Sequence, residues 1–161
     1  MATRHSRSLP AILLMVAGAL TFIGAIVSGI PTSVSGAFLV IYLLADLALA
    51  VALLLLAGSF SHRFGRLWLY LSAAGWAVYG LSNAAGIIPL FTYLGGYVAI
   101  VFGVIAGVVV YRQRLFTPRA ATMFLVSMIL GAVYLFVAVL FLPLAFGIAL
   151  VVTGVFMRRR L

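Results

Sequence analysis

The stretch GAFLVIYLLADLALAVALLLLAGS, residues 36–59, decides the fold of this chain. It contains one charged residue, Asp46, within a run long enough to cross the hydrocarbon core of a bilayer. Such a crossing takes about 20 residues, because each residue of a helix advances about 1.5 Å. A core surrounded by water does not need an apolar run of this length. The stretch therefore predicts a transmembrane helix.

Similar apolar runs fill most of the remaining chain, which is 67% hydrophobic and only 7% charged. We therefore predict an all-α polytopic membrane protein, with residues 1–161 as one transmembrane domain and six helices arranged as three helical hairpins. The final run is only about 15 residues or 22 Å long, which is short for a full span. The bilayer must therefore be thinner around this helix, the helix must include residues of the preceding turn, or the segment must be partly re-entrant. Five spans followed by a re-entrant tail are the alternative. The other runs cover residues 9–30, 67–88, 93–111, 120–141 and 143–157.

All ten basic residues are arginines, and they lie at alternate connections between the apolar runs. Cytoplasmic loops retain positive charge, so this alternation predicts that both chain ends are cytoplasmic, in a bacterial inner membrane. The connections 31–35, 89–92 and 142–144 carry no charge. The membrane explains the net charge of +9 without nucleic acid. We predict contacts with anionic lipid headgroups for Arg63, Arg66, Arg112, Arg114, Arg119, Arg158, Arg159 and Arg160.

The arginines and prolines also indicate an internal repeat. An arginine opens each odd-numbered helix, and a proline follows it after 23 or 24 residues. Proline suits the start of the returning helix, because the first turn of a helix needs no amide donor. The predicted hairpin repeats cover approximately residues 7–63, 66–114 and 119–160. The pairs that mark them are Arg7 and Pro31, Arg66 and Pro89, and Arg119 and Pro143.

The fourth apolar run carries a stripe of small residues. Gly95, Ala99, Gly103 and Gly107 recur every four residues, which places them on one face of a helix. Helices in lipid associate by close approach of their backbones at such faces. The stripe predicts packing inside the bundle, with a homo-oligomer interface as the alternative.

Asp46 is the only acidic residue in the chain. A charged side chain at mid-membrane costs about 2.5–3.5 kcal/mol on insertion scales, so Asp46 should face the bundle interior and find a polar partner. We predict an intramembrane polar site, which either fixes helix register through a buried hydrogen bond or responds to protons or binds cations. Its other members, at comparable depth, are Tyr42, Thr21, Tyr79 and Tyr134.

The motifs of most enzyme classes are missing from the sequence. It has no cysteine, no HExxH zinc pair, no phosphate-binding loop with a lysine and no second carboxylate. Metal catalysis would lack ligands, and acid–base catalysis would lack a second acid. We predict a non-enzymatic protein without cofactor or metal.

The proline-punctuated, glycine-bearing hairpin with arginines at its turns resembles the HdeD-like acid-resistance membrane proteins. Proteins of that family are small, span the membrane six times and are built from short internal repeats. The resemblance implies a stress-related inner-membrane protein, and it supplies no catalytic residues. It rests on Gly18, Gly24, Pro31 and Gly36 in the first hairpin, Arg66, Trp68, Gly75, Gly80 and Pro89 in the second, and Gly131 and Pro143 in the third.

Two other functions remain open from the sequence. One is a small-solute or proton-coupled transporter, or a substrate-binding membrane subunit, that uses Asp46. The other is an accessory subunit of a larger membrane complex, which the short uncharged connections favour. A ligand-holding cavity near Asp46 would favour the first, and copurification of a stable partner would favour the second.

Overall fold

The part of the chain that the structure describes forms six α-helices. The computed structural model describes residues 4–28, 37–60, 63–86, 89–114, 116–136 and 141–158. The predicted connection at residues 31–35, together with Gly36, Arg159 and Arg160, lies outside these residues. The helices are α1 (Arg4–Ser28), α2 (Ala37–Gly58), α3 (Arg63–Ala85), α4 (Pro89–Arg112), α5 (Pro118–Phe136) and α6 (Phe141–Arg158).

Five helices in the described part of the chain are long and apolar enough to cross a membrane. The protein is therefore an all-α, multi-pass membrane protein, as the apolar runs predicted. Helix α3 is also long, with 23 residues, but serines, an asparagine and aromatic residues lower its hydropathy. The five apolar segments are Ser8–Ser28, Ala37–Gly58, Leu90–Arg112, Pro118–Leu135 and Phe141–Arg158.

The helices form a closed ring in chain order. Each described helix packs against its two neighbours in sequence, and α1 completes the ring by packing against α6. Contacts along the interfaces show that neighbours run in opposite directions: in α3 and α4, for example, Gly75 approaches Ala99 while Tyr79 approaches Gly95. In the same way, Gly18 of α1 meets Gly147 of α6. Odd-numbered helices therefore start, and even-numbered helices end, at one end of the ring.

This alternation places the described arginines at one end of the bundle, which we call the arginine end. Arg63 and Arg66 lie at the start of α3, and Arg119 lies at the start of α5. Arg112 and Arg158 lie at the ends of α4 and α6. The connection between α3 and α4 lies at the opposite end, which we call the arginine-free end.

The predicted boundaries of the last helices were wrong. Residues 142–144 belong to α6 (Phe141–Arg158) and are helical rather than a connection, while residues 137–140 of the fifth predicted run lie outside the described residues. Pro143 lies in the first turn of α6, where its missing amide hydrogen costs no hydrogen bond. With 18 residues, or about 27 Å, α6 is longer than the run of residues 143–157 suggested. Helix α4 likewise begins at Pro89 rather than residue 93.

Glycines allow the closest helix contacts. A Cβ atom on Gly75 would overlap the backbone nitrogen of Ala99, and one on Gly18 would overlap the carbonyl oxygen of Gly147. Both contacts bring one backbone directly against another, which is how helices associate when the surrounding lipid removes most of the hydrophobic driving force. The α3–α4 and α1–α6 interfaces are therefore the most sensitive to added volume.

A threonine cap starts α5. The backbone amide of Ala120 donates a hydrogen bond to Thr117 Oγ1 at 3.1 Å, and the amide of Ala121 donates to the Thr117 carbonyl at 2.9 Å. Pro118 follows at the first helical position, where proline is favoured. Thr117 thus satisfies one of the amide groups that a helix start leaves without a partner.

We expect Thr117→Ala to lower the free energy of unfolding by about 1 kcal/mol, because the amide of Ala120 loses its acceptor. Thermal unfolding in mild detergent measures the effect. Thr122→Ala is the matched control, since Thr122 donates to the Pro118 carbonyl within the same helix at an exposed position. Equal melting temperatures for the two variants would contradict the capping role.

Candidate functional site

The Asp46 side chain is buried between α2 and α3. It is 8% exposed, and its carboxyl group lies against Gly80. A Cβ atom on Gly80 would lie 2.8 Å from the Asp46 Cβ and 3.1 Å from Oδ2, so the glycine makes room for the carboxyl group. No hydrogen bond or ion pair joins Asp46 to another residue in the described ranges. Its carboxyl group is therefore a buried acid whose partner the described residues do not supply.

Three tyrosines lie near this carboxyl group, and we call them the tyrosine chain. Tyr42 of α2 lies within side-chain hydrogen-bonding reach of Ser28 of α1 and Tyr134 of α5. Tyr134 lies within the same reach of Tyr79 of α3. Asp46 interacts electrostatically with all three tyrosines. Four helices thus bring hydroxyl groups to the neighbourhood of the only acid in the chain.

Thr21 does not join this group. Its hydroxyl donates to the carbonyl of Ala17, one turn back on its own helix, at 2.8 Å. Threonine satisfies its hydroxyl in this way at many intramembrane positions. The structure therefore brings together Asp46, Tyr42, Tyr79 and Tyr134 from the predicted polar site, while Thr21 is satisfied elsewhere.

An aromatic cluster that the sequence analysis did not identify fills the ring next to the tyrosines. Trp76 of α3 stacks on Phe146 of α6 with ring centroids 5.6 Å apart, and Phe146 also stacks on Tyr134 at 6.2 Å. Trp76 meets Tyr79 edge to face at 6.1 Å. Its indole Nε1 is buried and has no hydrogen-bond partner among the described residues. The cluster ties α3, α5 and α6 together and leaves one polar donor without an acceptor from these residues.

A half-open cavity of about 530 Å³ lies at the arginine-free end, and Tyr79 is one of its lining residues. Its walls come from the end of α3, the start of α4 and Leu135 of α5. The lining is mixed, with aromatic rings, hydroxyl groups and one side-chain amide, and no charged residue belongs to it. The polar members are Tyr79, Ser82, Asn83, Thr92, Tyr93 and Tyr97.

Tyr79 belongs to both the cavity and the tyrosine chain. Its ring lies over Gly96 of α4, where an added Cβ would be 3.4 Å from the tyrosine Cδ2 atom. The next residue on α3, Gly80, contacts the carboxyl group of Asp46. Tyr79 therefore lines the cavity one residue before the glycine that contacts the buried acid.

The intramembrane serines have different roles. Ser82 lines the cavity while its hydroxyl donates to the carbonyl of Val78 at 2.6 Å. Ser72 instead donates across the α3–α4 interface to the carbonyl of Ala99 at 3.0 Å. Ser127 pairs with Thr153 at 3.0 Å between α5 and α6. Ser72 and Ser127 are thus interhelical links.

The small-residue stripe on α4 faces its neighbours in the ring. Gly95 lies against Val78 and Tyr79, and Ala99 contacts Gly75, all on α3. Gly103 and Gly107 both lie near Met128 of α5. The stripe therefore packs inside the described bundle, on the face predicted from its spacing.

The described arginine side chains lie at the bundle surface, exposed or partly exposed. No group of three or more metal-ligating side chains occurs in the ranges that the structure describes. What the arrangement offers is a carboxyl group, the tyrosine chain and an aromatic, uncharged cavity. Comparison of the chain with protein-family models, with curated proteins and with solved structures found no match.

Proposed function

We propose that all six helices cross a bacterial cytoplasmic membrane as three hairpins, with the arginine end in the cytoplasm. The alternating helix directions and the positions of the described arginines support this orientation, because translocated segments avoid positive charge. Helix α3 would span despite its lower hydropathy, since its two serines face the ring rather than lipid. Ser72 and Ser82 are both buried.

Cysteine labelling tests this topology cleanly, because the chain has no cysteine of its own. Ala85→Cys, at the arginine-free end, should react with a membrane-impermeant maleimide in intact spheroplasts. Gln113→Cys, at the arginine end, should react only after permeabilisation. Both positions are exposed, so burial does not explain a difference. Labelling of both from one side would refute the orientation.

We also propose that the three hairpins are structural repeats, in a protein of HdeD-like type that is not an enzyme. Buried positions recur on α1, α3 and α5 at a constant spacing of 55 residues, and this supports the repeat. In the ring, the α6–α1 contact then corresponds to the α2–α3 and α4–α5 contacts. Corresponding buried residues are Leu14, Leu69 and Phe124, then Ala17, Ser72 and Ser127, then Thr21, Trp76 and Gly131.

The function that the geometry supports best is binding of a small polar solute, as a transporter or a substrate-binding membrane subunit. The position of Tyr79 carries this proposal, because its side chain lines the cavity and also belongs to the tyrosine chain near Asp46. Ligand sites in membrane and soluble proteins alike are concave, partly apolar and provided with a few polar groups. An ionisable group inside the membrane marks such sites more often than it marks structural positions.

Binding to the cavity is testable with a pair of small probes of equal shape, choline and 3,3-dimethylbutan-1-ol. We expect saturation-transfer NMR with the protein in lipid nanodiscs to detect binding of at least one probe. Gly96→Ile should abolish the signal, because its side chain would extend into the cavity beside Tyr79 and Leu135.

Gly58→Ile is the matched control, since a Cβ atom there meets nothing within 4 Å and the position lies at the arginine end. It should bind both probes as the unmodified protein does. Absence of a Gly96-sensitive signal with either probe would refute the cavity as a solute site.

A further inference from the structure

The described arginines lie at one end of the bundle, and the cavity lies at the other end. Arg66 precedes Tyr79 by 13 residues on α3, which is about 20 Å along the helix. Arg112 follows Gly96 by 16 residues on α4, about 24 Å. The cavity therefore lies in the part of this basic protein that is farthest from its described positive charges. No described basic side chain is available in the lining to hold an anion.

The aromatic lining suits a positive ligand. Tyr79, Tyr93 and Tyr97 contribute three rings to the cavity wall. The face of an aromatic ring attracts ammonium groups, most strongly where water is partly excluded. Hydroxyl groups of Ser82 and Thr92 add acceptors for the polar part of a ligand.

Asp46 adds the counter-charge. Its carboxyl group lies against Gly80 and interacts electrostatically with Tyr79, which lines the cavity. The titratable groups that interact with it are Tyr42, Tyr79 and Tyr134, and none of them carries positive charge. A buried carboxylate without a cationic partner is costly, and a cation entering the cavity would reduce that cost.

We propose that the cavity binds small organic cations with an ammonium group, with the Asp46 carboxylate beside Gly80 supplying the opposite charge. This inference rests on the proposed solute site and specifies its ligand class. The ammonium group belongs either to a dissolved amine or to the headgroup of a lipid at the membrane surface. Both present the same chemistry to the cavity.

Choline and 3,3-dimethylbutan-1-ol test the proposal directly, because they differ in one atom and one charge. We expect the unmodified protein to bind choline about tenfold more tightly or better, in nanodiscs of phosphatidylglycerol, which lack lipid amines. Equal affinity for the two probes, with both signals lost in Gly96→Ile, would overturn the cation class while leaving the solute site intact. Absence of both signals would overturn both proposals.

Asp46→Asn then tests the source of the preference. Asparagine has nearly the shape of aspartate, and we expect it to lower choline affinity about tenfold while leaving the affinity for the alcohol unchanged. An unchanged preference for choline in this variant would remove Asp46 from the proposal. If the variant fails to fold, the preference of the unmodified protein still decides the ligand class.

Nanodiscs of different composition identify the source of the ammonium group. Replacing phosphatidylglycerol with phosphatidylethanolamine should weaken choline binding if the lipid headgroup occupies the cavity, because the two then compete. Unchanged choline affinity would assign the site to water-borne amines. A stronger affinity in the presence of the lipid amine would contradict competition for one cation site.

Discussion

Gly75→Ala is expected to destabilise the bundle by about 3 kcal/mol, near the upper end of the usual cost of overpacking. The added methyl group would overlap the backbone nitrogen of Ala99 and lie 2.7 Å from its Cα. Backbone atoms cannot turn away as a side chain can, so α3 and α4 would have to separate. Separation would also strain the hydrogen bond from Ser72 to the Ala99 carbonyl. Thermal unfolding in mild detergent and the yield of monodisperse protein measure the effect.

Two other glycines provide graded controls for this substitution. Gly58→Ala makes the same chemical change where a Cβ atom meets nothing within 4 Å, so its melting temperature should match that of the unmodified protein. Gly103→Ala should fall between them, because the nearest atoms are Ser72 Oγ at 3.1 Å and Met128 Sδ at 3.2 Å. If Gly75→Ala proved no less stable than Gly58→Ala, the tight α3–α4 contact would be wrong.

The sequence identified the small-residue face of α4 but not its closest contact. Spacing shows that Gly95, Ala99, Gly103 and Gly107 share a face, since this follows from the helical repeat alone. It does not show which backbone segment of a neighbouring helix contacts each of these residues. Gly75 on α3 and Gly147 on α6 make backbone contacts, yet neither belongs to a stripe that spacing would select. Such contacts depend on how two packed helices are aligned along their axes, and the spacing of residues within one helix does not determine this alignment.

The number and type of helices followed from the apolar runs, because run length and bilayer thickness are directly related. The boundaries did not. Residues 89–92 and 142–144 were assigned to connections on hydropathy, but they belong to α4 and α6. The repeat itself placed Pro89 and Pro143 at the starts of the returning helices, and both lie in the first turns of α4 and α6, where proline is accepted. Hydropathy indicates whether a segment lies in lipid or in water. The hydrogen bonding of the backbone determines where its helix begins and ends.

Membrane depth predicted most of the Asp46 neighbourhood. Side chains at the same depth inside a small ring of helices lie close together. Tyr42, Tyr79 and Tyr134 accordingly lie near Asp46. The α4 side of the cavity was not predicted, because Thr92 and Gly96 were assigned to a connection and a helix start without lining roles. The one available signal was the polar pair Asn83 and Thr92 on either side of the turn around Gly86. Gly86 has a φ of 61°, a conformation that glycine adopts readily.

Choline binding should depend on pH with a slope of up to about tenfold per pH unit, if the cation and the proton compete for the Asp46 carboxyl group. The direction follows from linkage. Cation binding favours the carboxylate, so affinity rises with pH below the pKa of Asp46 in the unliganded protein and becomes constant above it. By reciprocity, choline binding releases a proton. Titrations of choline in phosphatidylglycerol nanodiscs over a pH series measure the slope, and calorimetry in buffers of different ionisation enthalpy measures the proton.

Variants of the surrounding groups assign this pH dependence to one residue. Asp46→Asn should bind choline weakly and equally at every pH, because it removes the only carboxyl side chain in the chain. Tyr42→Phe and Tyr134→Phe remove hydroxyl groups that interact with Asp46 and should move the midpoint while keeping the slope. A slope that persists in Asp46→Asn would exclude competition at this carboxyl group, because no carboxyl side chain remains in this variant. A flat profile in the unmodified protein, with choline still preferred over its neutral analogue, would instead show that Asp46 remains ionised whether or not the cation is bound.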